Sequence, residues 1–137
     1  MKKYVDYLTS RAEKDCINFG LGDWLEEGTP NYPKRTPPAL SNTAAYAWYA
    51  QILSDTAALL GRTEDAEHYL RLAESTRTAF NQRFLDPSAG LRIEDSQTGP
   101  ALALYLKVVA PEARRCLEEQ LRRYIHETRN DYISSGI

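Results

Sequence analysis

Apolar side chains recur every three to four positions over most of this chain, the spacing of helices that bury one face. Tyr4, Val5, Leu8 and Ala12 mark a first helix over residues 2–14, with Lys2, Lys3, Asp6 and Arg11 on its other sides. A second helix is expected from Ser41 or Asn42, either of which could cap it, to about Leu60. Its stripe reads Ala45, Trp48, Tyr49, Ile52, Thr56, Leu59 and Leu60, which assigns Trp48 and Tyr49 to the core, and Gly61 stands where a C-terminal glycine belongs. Thr63 is expected to cap a third helix reaching roughly Arg83, with Tyr69, Leu70, Leu72, Ala73, Thr76, Ala79 and Phe80 as its apolar positions. Glu64 and Asp65 suit the positive end of its dipole. The break between these two helices is so short that residues 41–83 form an antiparallel helical hairpin.

Residues 85–91 read as a turn flanked by short extended pieces. Gln97, Thr98, Gly99 and Pro100 open a fourth helix whose body, Ala101 to Val109, is almost wholly apolar and is therefore expected to be buried all round. Pro111 starts a fifth helix to about Thr128, with Ala113, Cys116, Leu117, Leu121 and Tyr124 on one face. The fold class that follows is all-α, built from helical hairpins joined alternately by tight turns and long loops. Residues 41–83 have the length of a tetratricopeptide unit, but that family's Trp-Leu-Gly-Tyr spacing is missing and no second copy follows. A hairpin protein-interaction module without catalysis therefore stands as the alternative reading.

One connection breaks the rhythm. From Asp15 to Ala39 the chain carries three glycines and four prolines, and a loop of this length is either functional or disordered. Ile17, Phe19, Leu21, Trp24, Leu25 and Tyr32 favour an ordered, functional loop. Inside it, Gly20-Leu21-Gly22-Asp23-Trp24 sets a carboxylate beside an indole. A flat aromatic face covers the C–H face of a sugar while a carboxylate accepts its hydroxyls, so Asp23 and Trp24 are the substrate-binding candidates. The plainer alternative is a loop with Trp24 plugged into the core and Asp23 holding the Gly22 turn through its own backbone. Glu26 and Glu27 are secondary candidates for a catalytic acid, against which stands the rule that general acids need burial to raise their pKa. Tyr32 and Arg35, in the same loop, could line the site, whereas Gln97 and Thr98 read as helix-capping groups.

Composition narrows the partners. Seventeen Lys and Arg are interspersed with nineteen Asp and Glu, a net charge of −2 that counts against nucleic acid. Nine tyrosines and two tryptophans suit a polyol-binding protein. Cys16 and Cys116 fit no metal-ligand spacing and read as two reduced thiols; His68 reads as a surface residue and His126 as a partner for a helix C-terminus. Neither a metal nor a cofactor is expected. No apolar run reaches membrane-spanning length, so no membrane partner is expected either. The abrupt helical start at Met1-Lys2-Lys3 and the uncapped tail to Ile137 are expected of a single segment cut from a larger protein.

Several short motifs then fall in order: Gly22-Asp23-Trp24-Leu25, Thr36-Pro37-Pro38, Ser41-Asn42-Thr43-Ala44-Ala45-Tyr46, Leu59-Leu60-Gly61-Arg62-Thr63-Glu64-Asp65, Phe80-Asn81, Gln97-Thr98, Ala101-Leu102-Ala103-Leu104 and Ser135-Gly136-Ile137. In order and spacing the chain resembles the central catalytic-domain segment of bacterial α-L-rhamnosidases, glycoside hydrolase family 78. The resemblance implies an (α/α)6 barrel of helical hairpins, of which this chain would hold about five of twelve helices. It also implies hydrolysis of terminal α-L-rhamnosides with inversion, by two carboxylates about 6.5–9.5 Å apart. The family's general acid lies in a motif before the Gly-Asp-Trp loop and its base in a later one, and neither motif occurs in these 137 residues. The segment alone is thus expected to be inactive. Helix faces meant for missing hairpins would be left exposed, with self-association the expected consequence.

Overall fold

A computed structural model describes residues 1–23, 35–93 and 96–133. Helix α1 spans Lys2–Arg11. It stops three residues short of the expected end because Glu13 and Cys16 exchange backbone hydrogen bonds of 2.9 and 3.0 Å across a tight reversal. Lys14 and Asp15 take left-handed backbone angles there, and the reversal turns Cys16 and Ile17 into the interior.

Helix α2 (Pro38–Leu59) and helix α3 (Thr63–Phe84) form the hairpin expected from the sequence. Two capping expectations are corrected. The second helix begins at Pro38, whose fixed φ and missing N–H suit a first helical position, ahead of Ser41 and Asn42. Ser41 donates back to the Pro38 carbonyl at 3.3 Å and Asn42 reaches the Phe19 carbonyl, so neither caps. Thr63 is the first helical residue of α3 and its hydroxyl caps nothing. The glycine reading holds. Gly61 has φ +68, the Gly61 N–H reaches the Ala58 carbonyl at 3.1 Å, and the Arg62 N–H reaches that of Ala57 at 2.8 Å. This paired closure is a Schellman ending.

The buried face of α2 is not the one expected. Leu40, Ala44, Tyr46, Ala47, Ala50 and Ala57 are buried, whereas Trp48 is 38% exposed and Leu59 89%. Tyr49 and Ile52 are half-buried. Apolar residues ring α2 on nearly every side, so spacing alone cannot select a face. The alanine-rich side wins because small residues let α3 approach closely, and Tyr69, Ala73, Thr76, Phe80 and Phe84 fill the seam from α3. The larger residues are left facing outward.

A two-residue ribbon follows, β1 (Leu85–Asp86) against β2 (Gly90–Leu91), antiparallel with Leu85 opposite Leu91. The Asp86 carboxylate closes its turn, accepting from Ser88 N at 2.9 Å and Ser88 Oγ at 2.7 Å. Helix α4 spans only Thr98–Tyr105, because the chain turns at Lys107 with φ +53. It is not buried all round: Gly99, Pro100 and Ala103 face the core, but Tyr105 is 75% exposed. A short 3-10 turn at Pro111–Ala113 leads into α5 (Arg114–Arg123), and a wider turn, Tyr124–Thr128, ends where the sequence put the end. Leu117 and Tyr124, seven apart, share its buried side.

Among the described residues the fold is all-α apart from this ribbon. Two apolar clusters hold it: Leu40, Ala44, Phe80, Phe84, Val108 and Leu117 under α4 and α5, and Val5, Leu8, Ile17, Tyr46 and Tyr69 under α1. Polar contacts seat α1 on the hairpin: Tyr69 Oη donates to Asp6 Oδ1 at 2.6 Å, Tyr46 Oη to Thr9 Oγ1 at 2.7 Å, and Lys2 Nζ pairs with Asp65 at 2.6 Å. Cys16 and Cys116 are both free thiols, as expected. Among the described residues no helix is long and apolar enough to cross a membrane.

Candidate functional site: the Gly-Asp loop and its supports

Of the candidates, Asp23 lies at the edge of the described residues, half-buried, whereas Trp24, Glu26, Glu27 and Tyr32 lie outside them. What the structure provides is the mounting on either side. Ile17 N–H donates to Thr43 Oγ1 at 3.0 Å, laying the start of the loop on the first turns of α2. Asn42 Nδ2 donates to the Phe19 carbonyl at 2.8 Å. Gly20 and Gly22 then turn with φ +115 and +66. Gly22 needs to be glycine for a second reason, since a Cβ there would sit 2.9 Å from the Pro38 Cα, while one on Gly20 would come within 2.7 Å of Asn42 Nδ2 at the end of its side chain. The two glycines let the backbone pass against α2, and Asp23 leaves from that contact.

The far flank is pinned as firmly. Arg35 Nη1 donates to Tyr124 Oη at 2.7 Å. Thr36 Oγ1 and Ser96 Oγ meet at 2.6 Å in the interior, and Ser96 Oγ also accepts the Gly99 N–H at 3.2 Å. Ser96 therefore serves the start of α4, the task the sequence suggested for Gln97 or Thr98; the Gln97 side chain makes no capping bond. Arg35 is the first described residue on this flank, and Tyr124 is its partner there. The roles of Asn42, Ser96 and Tyr124 in holding the loop's flanks gave no sequence signal, since no spacing links positions 23, 60 and 89 residues from their partners.

Beside the first flank runs a groove of about 320 Å³ lined by Tyr4, Leu8, Phe19, Leu21, Asn42 and Tyr49. Two of its rings, Tyr4 and Tyr49, meet edge-on at 6.0 Å between centroids, and Tyr7 meets the groove's Phe19 edge-on at 6.5 Å. Trp48 leans on Tyr49 at 5.7 Å. The histidines stand away from this region: His68 packs edge-on against Tyr69, and His126 Nδ1 contacts Asp131 at the end of the last turn. Among the described residues no three His, Cys, Asp or Glu side chains converge as metal ligands. A carboxylate held on a fixed turn can accept sugar hydroxyls. It cannot by itself both protonate a leaving group and activate water, because inversion takes two carboxylates.

Residues 1–137 match the family described as the bacterial alpha-L-rhamnosidase 6 hairpin glycosidase domain. The chain belongs to this family. An alpha-L-rhamnosidase of Formosa agariphila is 29% identical over 134 residues, 95% of this chain and 14% of the relative. Among solved structures, the alpha-L-rhamnosidase from Dictyoglumus thermophilum superposes with a TM-score of 0.85 at 34% identity, covering 96% of this chain and 15% of that one. The Streptomyces avermitilis alpha-L-rhamnosidase complexed with L-rhamnose gives 0.81 at 25% identity, covering 93% and 12%. The chain thus spans only 12–15% of the length of these relatives. A hairpin belonging to a six-hairpin glycosidase domain replaces the interaction-module alternative.

Proposed function

We propose that the chain is one segment of an α-L-rhamnosidase catalytic domain, acting on rhamnose-containing carbohydrates, and that Asp23 and Trp24 furnish one wall of the sugar subsite. The observation that carries this reading is the family match along the whole chain, joined to a loop whose Gly20 and Gly22 lie against the start of α2, with Asp23 next in the chain. The chain supplies about five of the twelve helices of a barrel of six hairpins. The general acid and base come from other parts of the domain, with Glu26 and Glu27 outside the catalytic pair, so the segment alone turns over no rhamnoside. A carboxylate and an indole at the subsite wall divide the work between hydroxyl binding and ring stacking.

The test is made in the full-length protein with an aryl α-L-rhamnoside. Trp24→Ala is expected to lower kcat/KM at least tenfold, the loss that follows from about 1.4 kcal/mol of stacking. Asp23→Asn should lower it less, because an amide still accepts through its carbonyl oxygen. An unchanged specificity constant in Trp24→Ala removes that residue from the site, and absence of rhamnoside hydrolysis by the parent protein removes the activity itself.

A further inference from the structure

We propose that Asn42 and Tyr124 are positioning residues, Asn42 holding the segment that leads into Asp23 and Tyr124 holding Arg35, so that each keeps its neighbour at a fixed place beside the sugar. The inference rests on the rhamnosidase reading above. Asn42 is the nearer clamp. Its amide holds the Phe19 carbonyl at 2.8 Å, and the Gly20 turn runs close to that amide, a Cβ there coming within 2.7 Å of it. Phe19 is further fixed through its ring, with Tyr7 edge-on at 6.5 Å and the Arg11 guanidinium 5.8 Å from the centroid. Asp23 follows four residues later.

Tyr124 is the farther clamp. Its ring is buried, 6% exposed, on the same side of the helix as Leu117, so the phenol oxygen is held by packing before it meets anything. It accepts from Arg35 Nη1 at 2.7 Å, and the adjoining Thr36 is held to Ser96 through two buried hydroxyls. Asn42 of α2, Ser96 just before α4 and Tyr124 just after α5 thereby hold Phe19, Thr36 and Arg35. Rigid mounting of this kind matters to binding because a residue whose backbone is already held loses little further freedom when the sugar arrives. Misplacement of a binding group by about 1 Å can cost up to about a hundredfold in rate.

Two near-isosteric substitutions test the clamps in the full-length protein with an aryl α-L-rhamnoside. Tyr124→Phe keeps the buried ring and removes only the acceptor. Asn42→Asp keeps the shape, replaces the donor with an acceptor facing the Phe19 carbonyl, and places a negative charge near a helix N-terminus, where it is tolerated. Each is expected to raise KM about three- to tenfold, the range of one lost hydrogen bond, with kcat within about twofold and the melting midpoint within about 2 °C of the parent. Trypsin cleavage after Arg35 should quicken in both variants. An unchanged KM together with unchanged cleavage overturns the proposal, as does a KM that rises only in step with a falling midpoint. A parent protein that hydrolyses no rhamnoside rejects the rhamnosidase reading instead, and cleavage rates then decide the clamps on their own.

Discussion

Gly22 and Gly61 have nearly the same backbone, φ +66 and +68, but opposite surroundings. A Cβ on Gly61 meets nothing within 4 Å, whereas one on Gly22 meets the Pro38 Cα at 2.9 Å and its ring carbons at 3.0 and 3.1 Å. Substituting alanine at each separates backbone strain from the close approach. The left-handed backbone costs an alanine about 1–2 kcal/mol, and the stiffer unfolded chain returns about 0.4–1 kcal/mol of that. Gly61→Ala should therefore lose roughly 1 kcal/mol. Gly22→Ala adds an overpacking cost of about 1–3 kcal/mol, since the atom it strikes is backbone at the start of α2 and cannot swing aside. With about 3–4 °C per kcal/mol for a chain of this size, the midpoints should fall by roughly 3 °C for Gly61→Ala and roughly 10 °C for Gly22→Ala. Far-UV circular dichroism melts, paired with urea titrations to check that the m-value is unchanged, measure both. Equal losses, within about 2 °C, would show that the loop is not held against Pro38.

Other consequences can be checked on the same protein. Burial first, and then the hydrogen bond to Asp6, raise the Tyr69 phenol above its ordinary value of 10.0, and burial does the same for Tyr46. A raised phenol contributes stability that is complete below the unfolded pKa and is lost as pH rises through the folded one, so the melting midpoint should fall above about pH 10. Tyr69→Phe should flatten that decline, and an equally steep one would refute the assignment. Phe80→Ala, at a fully buried position, should lose about 3–5 kcal/mol in denaturant titrations, against at most about 1 kcal/mol for Trp48→Ala. Comparable losses would return Trp48 to the core. Tyr4, Trp48, Leu59 and Tyr105 are exposed apolar groups, so the isolated chain should associate reversibly in sedimentation velocity and bind an apolar dye. A monodisperse, dye-silent monomer at high concentration would contradict this.

The sequence determined the helices, the hairpin and its Schellman end, because each is local: spacing over a few turns, a glycine free to take positive φ, a proline suited to a first turn. It also determined the loop worth attention, since two glycines, a carboxylate and an indole stand together at positions 20–24. Ordered motifs, each weak alone, pointed to the family. It could not determine which side of α2 faces inward. Apolar residues surround that helix, and the choice of Ala44, Ala47 and Ala50 over Trp48 and Leu59 depends on how closely α3 can approach. Nor could it determine what holds the loop. The bonds from Asn42 to Phe19, Thr36 to Ser96 and Arg35 to Tyr124 join residues far apart in sequence. Such pairs have no periodicity; they exist only once three helices have packed and brought their ends to one place.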